Sequence, residues 1–415
     1  MKYSQMVGKT KKEISTEEES INAQLLIKGG FVYKEMAGAY NLLPLGLKVV
    51  RNIMAIIKAE MDNIGGQEIQ MTTLQNAQPW KDTNRWNDDI YDIWFKTELK
   101  NGTQIGLATT HEEPLGLMMR SMVQSYKDLP KYVYQFQTKF RNELRAKSGL
   151  LRGREFIMKD LYSFNTTEEE LNEFYEKAKE AYIRIFKKVG IGDKTYLTFA
   201  SGGTYCKYSH EFQTVSEVGE DTIYIDEEKG IALNKEVYID EVINDLGLDK
   251  SKLKELKGIE VGNIFKQFTR FSTPLDIKYT NEKGEKKEVI MGAYGIGIQR
   301  LMATVVETYH DEKGIIWPES IAPYKVHLIG LNLEQEDIKT KAEGLYNDLT
   351  QKGYEVLFDD RAETKAGEKF GDADLIGCPY RLVISAKTGD KVELKKRNET
   401  ESKLVEINAV ETFLK

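Results

Sequence analysis

FRNELRAKSGLLRGREFIMKDLYSF, residues 140–164, sets Arg141, Glu143, Arg152, Arg154 and Phe156 on two candidate β-strands joined by a basic loop. Arginines crowded into one hairpin repel one another unless an anion lies between them, and a guanidinium fork matches phosphate oxygens in bidentate geometry. The segment reads either as a nucleotide-binding hairpin or as a solvated, charged one, since exposed arginines are common.

A second element, MGAYGIGIQRLMATVVE at residues 291–307, decides between these readings. A Gly-punctuated apolar strand runs into an amphipathic helix, Gly295 and Gly297 permit close backbone approach, and Arg300 stands rigidly in the first helical turn. Alone, the glycine pair is a weak signal. It lacks the acidic partner and spacing of a dinucleotide-binding fingerprint and does not match the GxxxxGK[ST] phosphate loop. In combination, FRxE, then RxxxF, then GxGxxR resemble motifs 2 and 3 of the class II aminoacyl-tRNA synthetases.

That resemblance implies an α+β catalytic domain, an antiparallel sheet flanked by helices, over residues 1–320. By the same analogy Arg141 holds the α-phosphate of ATP and the substrate carboxylate, Glu143 meets the adenine side, and Arg152 binds the outer phosphates. Phe156 stacks on the adenine and Arg300 covers the opposite face of the nucleotide. Arg145 and Lys147, at the turn of the loop, are expected where the acceptor end of tRNA arrives. Mg²⁺ is expected to bridge phosphate oxygens, because it favours oxygen ligands and takes few from protein. Glu260 is either a carboxylate ligand for it or a surface acid at the start of a strand.

GTQIGLATTHEEPLGLMMRSMV, residues 102–123, reads as a strand ending at TTHEE and a helix beginning near Pro114, with a threonine in capping position and acids in the first turn. Capping alone accounts for the pattern. Thr110 and Glu112 also match the Thr-x-Glu loop of the prolyl members of the class, where they receive the cationic imino group of proline; a carboxylate suits that group through a charge-assisted hydrogen bond. Further stretches similar to the prolyl family follow in the same order: LPLGL, YVYQFQTKFRNE, SGGTYCKYSHEFQ, KGIEVGNIF and DDRAETKAGEKFGDADLIGCP. His210 and Glu211, in SHEF, fall where that family lines its proline pocket; on residue type alone, a histidine on a strand is as readily a packed core residue.

Residues 322–415 alternate strand and helix: YKVHLIGLN, EDIKTKAEGLYNDLTQKG, YEVLFDD, AGEKFGDADLIG, YRLVISA. The βαβαβ order predicts an α/β domain with a mixed, largely parallel sheet. It resembles the anticodon-binding domain shared by several class II enzymes, which makes Arg361, Glu363 and Lys369 candidates to contact tRNA. An exposed turn with helix-end charges gives the same pattern.

Composition fits a soluble enzyme: 415 residues, 40% hydrophobic, 30% charged and a formal charge of −7, with no strongly basic balance to advertise nucleic-acid binding. The polar start and the lack of a long apolar run predict a cytoplasmic protein without membrane contact. Cys206 and Cys378 are too few for a disulfide framework and are expected to be free thiols. The long helix GLKVVRNIMAIIKAEMDNIGG and the following QEIQMTTLQ stand where motif 1 builds a homodimer in this class, although Thr72 or Thr73 replaces its usual proline. Asn263 and Ala293 likewise stand where the family carries histidine and cysteine. Between motifs 2 and 3, residues 226–257 give only about thirty residues, too few for a hydrolytic editing domain with its own core; a separate trans-editing protein is then the expected partner.

The resemblance implies activation of L-proline by ATP, then transfer of proline to tRNA(Pro). A non-catalytic paralogue serving as a regulatory or RNA-binding subunit is the competing reading, and loss of the motif arginines or of the pocket acid would mark it. Arg141, Arg300 and Glu112 are all present. A ligase that charges a carrier protein fits poorly with the C-terminal resemblance.

Overall fold

The computed structural model describes residues 1–13, 18–144, 146, 148–202 and 208–414. Two compact units divide the chain: Met1–Met36 with Tyr40–Ile53 and Val305–Lys415, and Ala37–Ala39 with Met54–Thr304.

The second unit is built on a nine-stranded sheet, counted among the described residues. Its order runs Tyr208–Val215, Thr195–Ser201, Ile231–Asn234, Asp221–Asp226, Lys254–Phe268, Ile290–Gly297, Glu155–Asn165, Lys131–Phe140 and Gln67–Glu68, and Tyr208–Val215 also pairs with Lys254–Phe268. The central pairings are antiparallel, as expected, while Ile231–Asn234 and Gln67–Glu68 each join in parallel. The motif 2 strands are Lys131–Phe140 and Glu155–Asn165, so Arg141, Glu143, Arg152 and Arg154 lie in their connection rather than on the strands.

One face of the sheet is covered by the 22-residue helix Glu168–Val189. Its limits are written locally. The Thr167 side chain caps the start, three glutamates face the positive end of the helix dipole, and Gly190, at φ 99°, supplies the left-handed residue that closes it. Leu171, Phe174, Tyr175, Ala178, Tyr182, Ile185, Phe186 and Val189 recur at helical spacing and are all buried. Phe174 meets the Tyr294 ring edge-on at 5.4 Å, and Tyr182 and Phe186 each lie 5.2 Å from Phe212. Burying side chains of this size contributes about 1.5–3 kcal/mol each, and Phe174→Ala would cost about 3–5 kcal/mol.

Residues 226–257 form no separate domain. They supply the strand Ile231–Asn234, the short helix Asp240–Asp245 and the start of Lys254–Phe268, around a small core of Leu233, Val237, Val242, Ile243 and Leu248.

In the first unit, a five-stranded sheet has the order Val356–Asp359, Val326–Gly330, Tyr380–Ile384, Lys391–Lys396, Lys403–Glu406. Its first three strands are parallel and the last two antiparallel, giving the expected mixed sheet. Helix Glu336–Gln351 lays Ile338, Ala342, Leu345 and Leu349 against Val326, Leu328 and Leu382. The last two strands, Lys391–Lys396 and Lys403–Glu406, arise from a stretch rich in lysine and glutamate. There Val392 and Leu394 turn inward between charged neighbours. Cys378 is buried with a free thiol, and Cys206 lies outside the described residues. Among the described residues, no helix is long and apolar enough to cross a membrane.

Candidate active site

Strand register determines what the face of the large sheet opposite Glu168–Val189 presents. Gln135, Asp160, Gly295, Asn263 and Glu211 are successive cross-strand partners and form one row. The adjacent row is Tyr134, Leu161, Tyr294, Ile264 and His210, which points to the opposite face, beneath the helix. One row is polar or glycine and the other almost wholly apolar. Such an alternation gives the face opposite the helix a polar strip, and farther along that same face Leu115 and Met119 pack on Val133, Tyr162 and Ala293.

A cleft of about 160 Å³ opens on that face, lined by Arg141, Glu143, Arg152, Phe156, Glu260 and Arg300. These are all six nucleotide and metal candidates read from sequence. Met158, Asn263, Gly295 and Gly297 complete the lining. The Arg141 guanidinium lies over the Phe156 ring at 5.3 Å, and its buried Nε has no hydrogen-bond partner. Arg300 donates from Nε to the Leu151 carbonyl at 2.7 Å and from Nη1 to Glu260 Oε2 at 3.3 Å. Arg152 lies between Glu143, at 3.6 Å, and Glu220, at 3.2 Å. Arg154 is structural: it donates to the Glu143 carbonyl from Nε and Nη2 and to the Ala37 carbonyl from Nη1, which pins the connecting loop.

Glu260 sits well inside Lys254–Phe268, which corrects its reading as a surface acid at a strand start. Its Oε1 accepts from Asn263 Nδ2 at 2.8 Å, leaving the Asn263 carbonyl oxygen turned toward Gly295, where a Cβ would stand 3.1 Å from it. Two side-chain oxygen donors thus share the wall of the cleft, a set suited to Mg²⁺, which takes few protein ligands and leaves the rest to phosphate and water. Beside them Glu211 is pushed up to about 7, by burial first and then by the Glu260 charge.

The Thr110 loop is not a helix cap. Helix Glu112–Met122 begins after His111, which makes no side-chain cap. The Thr110 hydroxyl instead donates to Glu112 Oε2, while Gln267 Nε2 donates to Glu112 Oε1 at 3.2 Å. Beneath the loop His111 is buried. Its Nε2 is 3.1 Å from the Thr72 carbonyl, which can only accept, so Nδ1 accepts from Lys139 Nζ at 2.8 Å. Burial, then Lys139, holds this ring down to about 4, in keeping with a neutral imidazole. Lys139 also donates to Asp160 Oδ1 at 2.8 Å, and Gln135 Nε2 donates to Asp160 Oδ2 at 3.0 Å. Lys139, Asp160 and Gln267 escaped the sequence reading, which took His111 only as the middle residue of the Thr110–Glu112 loop. The alternation Gln135, Gln137, Lys139 between aromatic residues was the available signal.

Two groups of expectations need correction. His210 lies in the row facing the helix, where its Nδ1 is 2.8 Å from Tyr175 Oη and its ring meets Phe199 edge-on at 4.6 Å. It is a packed histidine, and Glu211, one residue on, faces the cleft side. In the first unit, Lys369 is buried, donates to the Gly330 carbonyl at 2.6 Å and lies 3.7 Å from Asp359. Arg361 is consumed by Asp359 and Asp372, at 2.6 and 2.7 Å from Nη2, and lies across the Tyr3 ring. Both charges hold the domain together. Glu363 is exposed, on the rim of a cleft lined also by Asn332, Lys365, Ser385 and Lys387, with the buried Lys369 in its wall. Arg145 and Lys147 lie outside the described residues.

Residues 95–309 match the family model of the tRNA synthetase class II core domain (G, H, P, S and T), and residues 325–415 match that of the anticodon binding domain. The proline–tRNA ligase of Persephonella marina is 33% identical, with the whole of both chains covered. That alignment extends over 565 positions against the 415 residues here, so at least 150 of its positions have no counterpart. The proline–tRNA ligase of Rickettsia akari is 36% identical over 419 positions, with 97% of each chain covered. Among solved structures, a Giardia lamblia prolyl-tRNA synthetase in complex with prolyl-adenylate superposes with a TM-score of 0.77 at 19% identity, covering 94% of this chain and 75% of that one. A Cryptosporidium parvum prolyl-tRNA synthetase complexed with L-proline and AMP gives 0.76 at 16% identity, covering 95% and 74%.

Proposed function

This chain belongs to the proline–tRNA ligases of the class II synthetases, and on that premise we propose how its own residues divide the work. The enzyme activates L-proline with ATP, releasing pyrophosphate, and transfers proline from the adenylate to the 3′ end of tRNA(Pro). The observation that carries the assignment of roles is the buried Nε of Arg141, without a hydrogen-bond partner among the described residues, on a cleft that Arg152 and Arg300 also line.

Activation brings a carboxylate up to the α-phosphate and builds negative charge as the new bond forms, so fixed cations are needed where that charge develops. Arg141 holds the α-phosphate and the proline carboxylate. Phe156 stacks on the adenine from one side and Arg300 covers the other, while Glu143 meets the base and Arg152 the outer phosphates. Mg²⁺, held by Glu260 with Asn263 beside it, would offset phosphate charge. That the Giardia protein is in complex with prolyl-adenylate and the Cryptosporidium protein with L-proline and AMP supports the choice of substrates. Glu112, oriented by Thr110 and Gln267, receives the cationic ring nitrogen. The adenylate carries its own leaving group, so transfer to the ribose hydroxyl depends on positioning rather than on a separate nucleophile.

Residues 1–320 then serve as the catalytic domain and 322–415 as the anticodon-binding domain, with contacts made at the Glu363 cleft rather than by Arg361 or Lys369. A homodimer, a cytoplasmic setting and a separate editing protein belong to the same proposal. Proline-dependent ATP–pyrophosphate exchange, followed by charging of tRNA with proline, tests it. Exchange dependent on another amino acid, or none, would overturn it.

A further inference from the structure

We infer that Arg85 is a positioning residue for the amino-acid pocket: held in an aromatic cage, it anchors the adjacent Glu112 and Glu113 through one guanidinium, so that Glu112 is set to meet a cationic ring nitrogen. The inference rests on the assignment of Glu112 above.

The Arg85 guanidinium carbon lies 4.7 Å from the Trp80 ring, 4.7 Å from Tyr91 and 5.3 Å from Phe271. Three faces fix a planar cation where a flexible ammonium would not be held. Its Nη1 is 2.9 Å from Glu113 Oε1 and 3.7 Å from Glu112 Oε2, so one guanidinium serves both carboxylates. The stronger contact is to Glu113, which Thr83 Oγ1 also anchors at 2.9 Å. Glu112 takes the hydroxyl of Thr110 and the amide of Gln267, two neutral donors that orient a carboxylate without neutralising it.

Glu113 is fully buried and its Oε2 has no hydrogen-bond partner. Burial pushes its carboxyl up to about 7, Arg85 pulls it down and Glu112 pushes it up again. The other titratable groups around the pair are His111 on the same loop, Lys139 and Asp160 on the sheet, and the Tyr162 and Tyr91 hydroxyls. His111 and Lys139 are engaged with each other, and Lys139 with Asp160. Arg85 is therefore the cation shared by the two neighbouring carboxylates. Without it the Glu113 carboxyl is pushed up further, Glu112 loses its anchor, and the pocket loses attraction for a cationic substrate.

The test is the exchange reaction, with Km for proline and Km for ATP followed from about pH 6 to about pH 9. R85Q should raise the proline Km roughly 10- to 100-fold near neutrality, leave the ATP Km unchanged and move the pH midpoint of the proline Km upward relative to wild type. R85Q/E113Q should recover most of the loss, since no buried carboxylate is then left without its cation, and R85K, whose ammonium the cage does not hold, should show part of the R85Q loss. An unchanged proline Km in R85Q, or no recovery in the double variant, overturns the inference. Should R85Q fail to fold, R85K still decides: a proline Km and a pH midpoint equal to wild type overturn the inference. E112Q separates the levels. If E112Q abolishes proline dependence while R85Q does nothing, only the role of Arg85 falls; if E112Q is silent, the assignment of the pocket itself falls.

Discussion

The guanidinium of Arg141 lies 5.3 Å from the centre of the Phe156 ring, and its Nε is buried with no hydrogen-bond partner. A buried donor left unpaired costs about 1–3 kcal/mol, so the folded chain holds this group at an energetic disadvantage that a phosphate or carboxylate oxygen would relieve. Arg141→Ala should reduce ATP–pyrophosphate exchange about 10²- to 10³-fold without lowering the thermal midpoint. Arg300→Ala should cost as much exchange but also some stability, because Arg300 holds the Leu151 and Glu260 carbonyls. Near-normal exchange in either variant would remove these residues from the nucleotide site.

The cleft was legible in sequence because its charges stand in motifs of fixed spacing, and the register of two neighbouring strand pairs carries that spacing directly into space. His210 was not legible for the converse reason. On a strand the face changes with every residue, and in SHEF both His210 and Glu211 are polar, so only the pairing of Ile264 with His210 shows which one turns toward the helix. Lys369 and Arg361 look exposed in a linear reading. Their partners, Gly330, Asp359 and Asp372, come from three elements whose meeting is a matter of topology. The strands Lys391–Lys396 and Lys403–Glu406 were hidden by charge, since exposed lysines and glutamates on an outer strand mask the buried alternation of Val392 and Leu394.

Glu211 gives a pH dependence with a definite sign. Folding raises its carboxyl from 4.5 to about 7, through burial and then Glu260. Its stabilising share is therefore complete below 4.5 and lost as pH rises through about 7. Glu211→Gln should melt like wild type near about pH 5 and at higher temperature than wild type near about pH 8, with the gap opening around neutrality. Thermal unfolding followed by circular dichroism checks this, and a gap that does not vary with pH would refute it.

Lys369→Met separates framework from recognition. The ammonium is buried on the Gly330 carbonyl, so its removal should lower stability by about 1–3 kcal/mol in chemical denaturation while the folded variant binds tRNA as before. Glu363→Ala or Lys387→Ala, on the exposed cleft, should do the reverse. Weakened tRNA binding by a fully stable Lys369→Met protein would restore that lysine to the anticodon surface.

The short stretch at residues 226–257 bears on fidelity. It adds one strand and one short helix to the main sheet, with a core of a few side chains. A pocket shaped for proline discriminates against a smaller amino acid by only about 1–3 kcal/mol for each missing methylene. The purified protein should therefore activate alanine measurably and accumulate alanyl-tRNA that persists until another protein is added. Rapid deacylation by this chain alone would place a hydrolytic site somewhere in its fold.

The connection between Lys131–Phe140 and Glu155–Asn165 offers a way to separate the two reaction steps. Arg141, Glu143 and Arg152 face the nucleotide cleft, and Arg154 pins the loop from below, whereas Leu144 projects with 91% of its surface exposed. Nothing in the nucleotide assignment requires Arg145. If this residue receives the acceptor end of tRNA, Arg145→Glu should lower kcat/Km for tRNA charging by at least roughly tenfold, since a phosphate contact is replaced by repulsion, while exchange stays within about twofold of wild type. The salt dependence of charging should also flatten, because one fewer counterion is released when tRNA binds. Equal loss in both assays would confine the loop to activation, and the search for the tRNA contact would move to other residues.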